Sequence, residues 1–143
     1  RVGQVRRVLC ASPAYLKKNG IPNTPQELKQ HQVIVASGVT QSVEWRFLDQ
    51  GEPVNVRMKP RLTVCTNDGA IEAALQGLGV TRLMSYQVAP LLVSGKLKVV
   101  LSEFESPPVP VHIIHREGRN ASTKMRAFID LMAERLRADT SLN

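Results

Sequence analysis

Short apolar runs alternate along this chain with segments in which apolar residues recur at helical spacing. Val5 to Ala11 is the first apolar run, and we expect a buried strand there. Ser12 and Pro13 follow it as an N-cap residue and a first helical residue, and Gly20 is placed to end that helix. The chain is therefore predicted to open with a strand followed by a helix.

The same order is predicted again further along. Residues 24–27 have the spacing of a capping box and predict a second short helix, and the apolar residues 32–36 predict a strand. Apolar and polar residues alternate over Glu44 to Met58 on both sides of a glycine-containing turn, which predicts a hairpin. We expect Trp45 in this hairpin to supply packing surface, and the alternative is that it walls a ligand site.

The second half of the chain carries further strand and helix signals. Arg61 to Cys65 predicts a strand, and the apolar stripe Ile71, Ala74, Leu75 and Leu78 predicts the helix after it. The remaining predicted elements are a strand at Val80 to Met84, a short helix at Val88 to Val93, strands at Leu97 to Leu101 and Val111 to His115, and a final helix from about Ser122 to Ala138. This alternation predicts an α/β fold with an open, mostly parallel sheet and flanking helices.

Composition limits the class of protein. With 143 residues, 43% hydrophobic and 22% charged, the chain is typical of one globular domain. No apolar run reaches the ~18 residues that a membrane helix needs, so we expect no membrane partner. Cys10 and Cys65 lie in predicted strands, and we expect them to be structural thiols in a reducing compartment, the cytoplasm.

The formal charge of +7 raises the question of nucleic-acid binding. The basic residues are spread over predicted strand edges and turns, and three Phe, two Tyr and one Trp offer few side chains for stacking on bases. We therefore expect a solvated basic surface. Direct contact with nucleic acid, or with an acidic partner or ligand, is the alternative.

One stretch, TVCTNDGAIEAALQGLGV, passes from a strand into a helix through small polar residues. Thr66, Asn67 and Asp68 stand at that junction, where open α/β sheets bind ligands and where free backbone N–H groups favour an anion. The alternative is that Asn67 or Asp68 caps its own helix. The stretch lacks the glycine and lysine spacing of a phosphate loop.

Catalytic patterns are weak in this sequence. His31, His112 and His115 have no nucleophile or metal-ligand partner at a recognised spacing. Glu103 and Glu105 precede prolines in a predicted loop and are expected to be solvated. We therefore expect no enzyme, and we expect no cofactor and no metal.

Three blocks resemble the C-terminal effector-binding domain of LysR-type transcriptional regulators, a bacterial family. They are VRRVLCASPAYLKKNGIPNTPQELKQHQVIV, NDGAIEAALQGLGVTRLMSYQVAPLLVSGKLKVVL and PVHIIHREGRNASTKMRAFIDLMAERL, in the order of the family. The resemblance implies two α/β subdomains of the type 2 periplasmic-binding-protein kind. Residues 5–115 would form the second subdomain and residues 116–143 a return segment and C-terminal helix of the first. Since the chain enters a strand soon after Arg1, we expect an N-terminally truncated piece with the other subdomain largely missing.

The resemblance also implies a function and a site. A small-molecule effector would bind in the cleft, the protein would be a homo-oligomer, and DNA would be bound only through a winged helix-turn-helix outside this chain. Ser37 and Gly38 resemble one effector-binding loop, and Thr66, Asn67 and Asp68 resemble the opposing contacts, where a helix start would favour an anionic effector. Met84 departs from the proline that many relatives carry there.

Two other functions compete with this one. A lobe of a transport-type solute-binding protein has the same fold, although two unpaired cysteines argue against an oxidising periplasm. A module that binds nucleic acid directly would show strongly salt-dependent binding by this segment alone.

Overall fold

A computed structural model of the chain describes residues 1–36, 44–116 and 122–142. The chain forms two compact units, one of Arg7–Ser106 and one that combines Arg1–Arg6 with Pro107–Asn143. The assignment of 5–115 and 116–143 to two subdomains stays a prediction. None of the helices in the described part of the chain is long and apolar enough to cross a bilayer.

The larger unit contains a five-stranded sheet, a two-stranded hairpin and three α-helices. Its strands are β2 (Arg7–Ala11), β3 (Val33–Ala36), β4 (Glu44–Asp49), β5 (Glu52–Arg57), β6 (Leu62–Val64), β7 (Val80–Met84) and β8 (Lys98–Val100). Its helices are α1 (Pro13–Asn19), α2 (Asn67–Leu75) and α3 (Ser85–Val93), with 3-10 helices at Pro25–Gln30 and Ser102–Phe104. The smaller unit contains β1 (Gly3–Val5), β9 (Val109–Val111), α4 (Thr123–Ala138) and a 3-10 helix at Thr140–Leu142.

The five-stranded sheet has the order β6-β3-β7-β2-β8 and is mixed. The pairs β3/β6 and β3/β7 are parallel, whereas β2 is antiparallel to both β7 and β8. Four strands therefore run in one direction, and only β2 is reversed. The predicted α/β class is confirmed, but the sheet is less parallel than predicted because β2 is inserted between β7 and β8, the two strands that α3 connects.

Each face of the sheet is covered by a separate apolar cluster. On one face, Leu9, Val33 and Val80 pack with α1 and with the hairpin β4-β5. On the other face, Val8 and Ile34 pack with α2 and α3. Alternate residues of each strand point to opposite faces, so the continuous apolar runs of β2 and β3 follow from burial on both sides.

The hairpin β4-β5 was predicted correctly, and its turn explains its geometry. The turn residues Gln50 and Gly51 have φ values of 49° and 85°, as a two-residue type I′ turn requires. Trp45, Phe47 and Val56 alternate inward and are each at most 4% exposed. The hairpin thus covers the sheet with one apolar face.

The predicted helix starts are confirmed to different degrees. Ser12 Oγ accepts a hydrogen bond from Tyr15 N at 3.2 Å and caps α1. The predicted capping box at residues 24–27 is not formed, because Thr24 makes no side-chain cap and Glu27 accepts from Asn23 N, at 2.9 Å, instead of from Thr24 N. The helix that follows is 3-10. Helix α3 begins at Ser85, earlier than predicted, because Gln87 Oε1 accepts from the backbone N–H of Met84 at 3.2 Å.

Two strand predictions near the smaller unit are wrong. The predicted strand Val5 to Ala11 is interrupted at Arg6, since β1 pairs with β9 in a separate antiparallel sheet and β2 joins the five-stranded one. The predicted strand Val111 to His115 is instead Val109–Val111. Its Pro110 is tolerated because, among residues 1–36, 44–116 and 122–142, β9 pairs with β1 alone and so lies at a sheet edge.

Helix α4 was predicted correctly, and Ser122 Oγ caps it by accepting from Met125 N at 3.3 Å. The apolar residues of this helix are only partly covered. Phe128 is 59% exposed and Leu131 is 48% exposed, whereas Ala133 is buried.

The close approach of β3 and β7 requires a glycine. Val80 N donates to Gln32 O at 2.8 Å, and a Cβ atom at Gly79 would overlap that same carbonyl group. We predict that Gly79→Ala lowers the free energy of unfolding by about 1 to 3 kcal/mol, the range for overpacking. Urea unfolding of the wild-type and Gly79→Ala proteins measures this change in the free energy of unfolding. Gly69→Ala in α2 is the matched control, with a change within about 1 kcal/mol; equal effects at both sites would contradict the steric argument.

A hydrogen-bonded pair joins α1 to the start of β3. Gln32 N donates to Tyr15 Oη at 3.0 Å, and Tyr15 Oη is hydrogen-bonded to His31 Nδ1 at 2.9 Å. In the neutral tautomer that carries its proton on Nε2, His31 accepts this bond from the Tyr15 hydroxyl, and protonation of Nδ1 would remove that acceptor. Burial lowers the pKa of His31 below its ordinary value of 6.5, and nearby Glu27 offsets only part of this.

This pKa predicts a pH dependence of stability. Because the folded pKa of His31 is depressed, its neutral form contributes stability fully above about pH 6.5, and that stability is lost as the pH falls towards the folded pKa. The free energy of unfolding should fall by at most about 1.4 kcal/mol per pH unit for this one proton. His31→Gln should remove that part of the slope in urea titrations, whereas His115→Gln, at an exposed residue, should keep it.

Candidate ligand site

The shared direction of four strands brings their carboxyl ends to one edge of the sheet. Ala36, the last residue of β3, is in register with Val64 at the end of β6. Met84 ends β7 and is paired with Arg7, which begins the reversed strand β2. Helices α2 and α3 start directly after β6 and β7. This edge is where open α/β sheets bind ligands.

A cavity of about 380 Å³ lies at this edge, wholly within the larger unit. Its volume is at the lower end of the range of roughly 300 to 1,000 Å³ for small-molecule sites. The cavity is lined by residues from the strand ends, the two helix starts and the hairpin, namely Arg7, Ile34, Val35, Ala36, Glu44, Trp45, Arg46, Asn67, Arg82, Leu83, Met84, Gln87 and Ser106.

Arg82, one of these residues, makes two contacts within the chain. Its guanidinium carbon lies 4.9 Å from the centre of the Trp45 ring, within the range of a cation–π contact. Its Nη1 donates to the backbone oxygen of Arg46 at 3.2 Å. Burial, and secondly the positive charge of Arg7, lower the pKa of Arg82 to about 10. The cation is thus held in place where its charge is poorly compensated.

Arg7 lies on the same face of the sheet as Arg82. In the β2/β7 register Leu9 is opposite Arg82 and Arg7 is opposite Met84, so the two arginines are diagonal neighbours. Both also line a second, much smaller void of about 10 Å³ beside the first cavity. Three arginines and one glutamate line the main cavity, which makes its charge positive.

The structure separates the roles of the predicted site residues. Thr66 Oγ1 accepts from Gly69 N at 3.0 Å and caps α2. The capping residue is therefore Thr66, and not Asn67 or Asp68, the two residues named in the alternative interpretation of the sequence. Asn67 lines the cavity, while Thr66 and Asp68 are exposed outside its lining. Residues 37 and 38, the predicted contacts Ser37 and Gly38, lie outside the described part of the chain and directly follow Ala36, a lining residue.

The sequence did not single out the arginines. Arg82 stands in the strand VTRLM, whose other residues are apolar or buried, at a position that faces the cluster around Val80. A charged residue on an inward-facing position near the carboxyl end of a buried strand is the signal that could have identified it. Trp45 does line the cavity, the alternative that the hairpin pattern left open.

The two cysteines differ from each other. Cys10 is buried, and burial raises the pKa of its thiol to about 12, so it is an unreactive core residue as predicted. Cys65 is exposed, contrary to the prediction of a structural thiol, because it follows the last residue of β6. In the described ranges, His, Cys, Asp and Glu side chains form no group of three or more that could hold a metal ion.

This sheet order and cavity define an α/β ligand-binding domain. A family model described as LysR substrate binding domain matches residues 1–137, and the chain belongs to that family. It is 29% identical over 133 residues to the probable HTH-type transcriptional regulator LtrA of Klebsiella pneumoniae, covering 91% of this chain and 43% of LtrA. It is 30% identical over 130 residues to the HTH-type transcriptional activator TtdR of Escherichia coli K12, covering 90% and 41%.

A solved structure supports the same assignment. Full-length AphB, a virulence activator of Vibrio cholerae in the same regulator family, superposes with a TM-score of 0.77 at 28% identity over 94% of this chain and 46% of AphB. The chain therefore spans less than half the length of these relatives.

The cap at Thr66 leads to a stability prediction. Thr66→Ala removes the acceptor for Gly69 N and should lower the free energy of unfolding by about 1 kcal/mol. Thr66→Ser keeps the acceptor and should stay close to wild type. Thermal unfolding of the three proteins measures both changes. A Thr66→Ala protein as stable as wild type would show that the cap contributes nothing.

Proposed function

We propose that this chain is the ligand-sensing and oligomerisation domain of a LysR-type transcriptional regulator that acts in the cytoplasm. The observation that carries the proposal is the cavity of about 380 Å³ at the carboxyl edge of the sheet, in a chain whose relatives are named as transcriptional regulators. DNA would be bound by a winged helix-turn-helix elsewhere in the polypeptide. Those relatives are not named as enzymes, and we propose no catalytic step.

The effector would act by stabilising one arrangement of subdomains or protomers in a homo-oligomer over another. We propose that its contacts include Ser37 and Gly38, after β3, and residues 66–68 (Thr66, Asn67 and Asp68) at the start of α2. The position of Asn67 in the cavity lining supports this assignment. The residues that follow the neighbouring strands β3 and β6 would then both contact the effector.

We also propose that the effector is an anion. The support is electrostatic, since the cavity lining has three arginines and a single acidic residue. Inside a partly desolvated cavity, a positive charge favours a negatively charged ligand more strongly than it does on an open surface. A cationic effector would be repelled by Arg7 and Arg82.

The test uses the polypeptide as its gene encodes it, bound to the promoter region next to that gene. A metabolite extract separated into fractions should contain one that changes the DNA footprint. Met84→Trp narrows the cavity and should weaken that response by at least about tenfold while basal DNA binding remains.

Val93→Trp is the matched control, because Val93 is 90% exposed on α3 and does not line the cavity. It should respond as wild type does. A footprint that no fraction changes, or a Met84→Trp protein that responds like Val93→Trp, would exclude sensing through this cavity.

A further inference from the structure

We propose that Arg82 determines the specificity of this cavity by binding the carboxylate of a small organic acid, with Arg7 as the second cation. This inference rests on the proposed effector-binding function and deepens it. It identifies the Arg82 guanidinium as the group that binds the charged part of the ligand, and small carboxylates as the class of ligand that this group selects.

The first support is that Arg82 is held rigidly before any ligand arrives. One side of its guanidinium faces the Trp45 ring, which is only 4% exposed and is fixed in the core. Its Nη1 is fixed by the Arg46 carbonyl oxygen at 3.2 Å. An arginine has five N–H donors in a planar fork, so further donors remain for a carboxylate. A side chain ordered in advance loses little conformational entropy on binding.

The second support is the charge around Arg82. Arg82 contacts the Trp45 ring and the Arg46 carbonyl oxygen and is repelled by the charge of Arg7. Two carboxylates lie in the same region, since Glu44 lines the main cavity and Glu105 lines the smaller void beside it. Burial and Arg7 together lower the pKa of Arg82 to about 10. A bound anion would relieve the repulsion between the two guanidinium groups and replace lost hydration.

The third support is the shape of the rest of the cavity. Ile34, Val35, Leu83 and Met84 give it an apolar wall beside the arginines, and its volume admits only a small molecule. A planar carboxylate matches the guanidinium fork in a bidentate manner, and its hydrocarbon part can contact the apolar wall. A neutral apolar ligand would displace water from the Arg82 guanidinium without accepting its hydrogen bonds. The unpaired donors would then make binding unfavourable.

The start of α2 is a poorer place for the same charge. Thr66 Oγ1 already accepts from Gly69 N, which is one of the free donors of the helix start. Asp68 adds a negative charge in the first turn. The anionic group of the ligand is therefore assigned to the β7 side of the cavity, and the lining residue Asn67 is left as a neutral contact.

The test is isothermal titration calorimetry on the polypeptide as its gene encodes it. The probes are benzoate with benzamide, succinate with succinamide, and inorganic phosphate, all at matched ionic strength. At least one acid should bind at millimolar concentration or below while its amide does not. Arg82→Gln should weaken that binding by about 10- to 100-fold, as expected for the loss of a charged bidentate contact.

Three further variants make the result specific. Arg82→Lys keeps the charge but loses the fork, and should lie between wild type and Arg82→Gln. Arg7→Gln changes an exposed residue and should weaken binding by roughly 3- to 10-fold, so the proposal stays testable if Arg82→Gln fails to fold. Lys98→Gln removes one charge at an exposed residue outside both cavities and should bind like wild type.

The outcomes separate the two proposals. The proposal for Arg82 is overturned if no acid binds, if amides bind as tightly as acids, if phosphate is bound in place of carboxylates, or if Arg82→Gln binds like Lys98→Gln. If an effector still changes the DNA footprint of Arg82→Gln at the wild-type concentration, the role of Arg82 fails and the sensing function stands. If carboxylates bind through Arg82 but no ligand changes the DNA footprint, the proposed role of Arg82 is supported and the sensing function is rejected.

Discussion

The burial of both faces of the five-stranded sheet is the constraint on which the rest of the structure depends. One face is covered by α2 and α3, and the other by α1 and the hairpin β4-β5. Because β3, β6, β7 and β8 run in one direction, their carboxyl ends meet at a single edge. The hairpin brings Trp45 and Arg46 to that edge, and there the ring and carbonyl group hold Arg82. The cavity is a consequence of how the sheet is covered.

Much of the fold was predictable because local signals and burial agree. Seven of the strands lie where apolar runs or alternation placed them, and Ser12 and Ser122 cap the predicted helices. The division at Arg6 was not predicted, since the pairing of the residues before and after it with different strands depends on contacts that are distant in sequence. The reversal of β2 likewise depends on long-range pairing, which periodicity in a single sequence does not contain.

The position of the cavity could be expected from the sequence better than its chemistry. The strand-to-helix junction at Thr66 to Asp68 lies at the edge of the sheet where the cavity is found, and Asn67 lines the cavity. The arginines were missed because Arg7 and Arg82 are far apart in sequence and become neighbours only through the antiparallel register of β2 and β7.

The most direct test of this account is an NMR titration of the ¹⁵N-labelled protein with benzoate, in which the Arg82 Nε–H and the Trp45 indole N–H signals are followed. The Arg82 guanidinium lies over the Trp45 ring, so the account predicts that both signals shift along one saturating curve. Backbone signals of Ala36 and Met84, at the cavity edge, should follow with the same dissociation constant. A saturating titration that leaves the Arg82 and Trp45 signals unmoved would contradict the account.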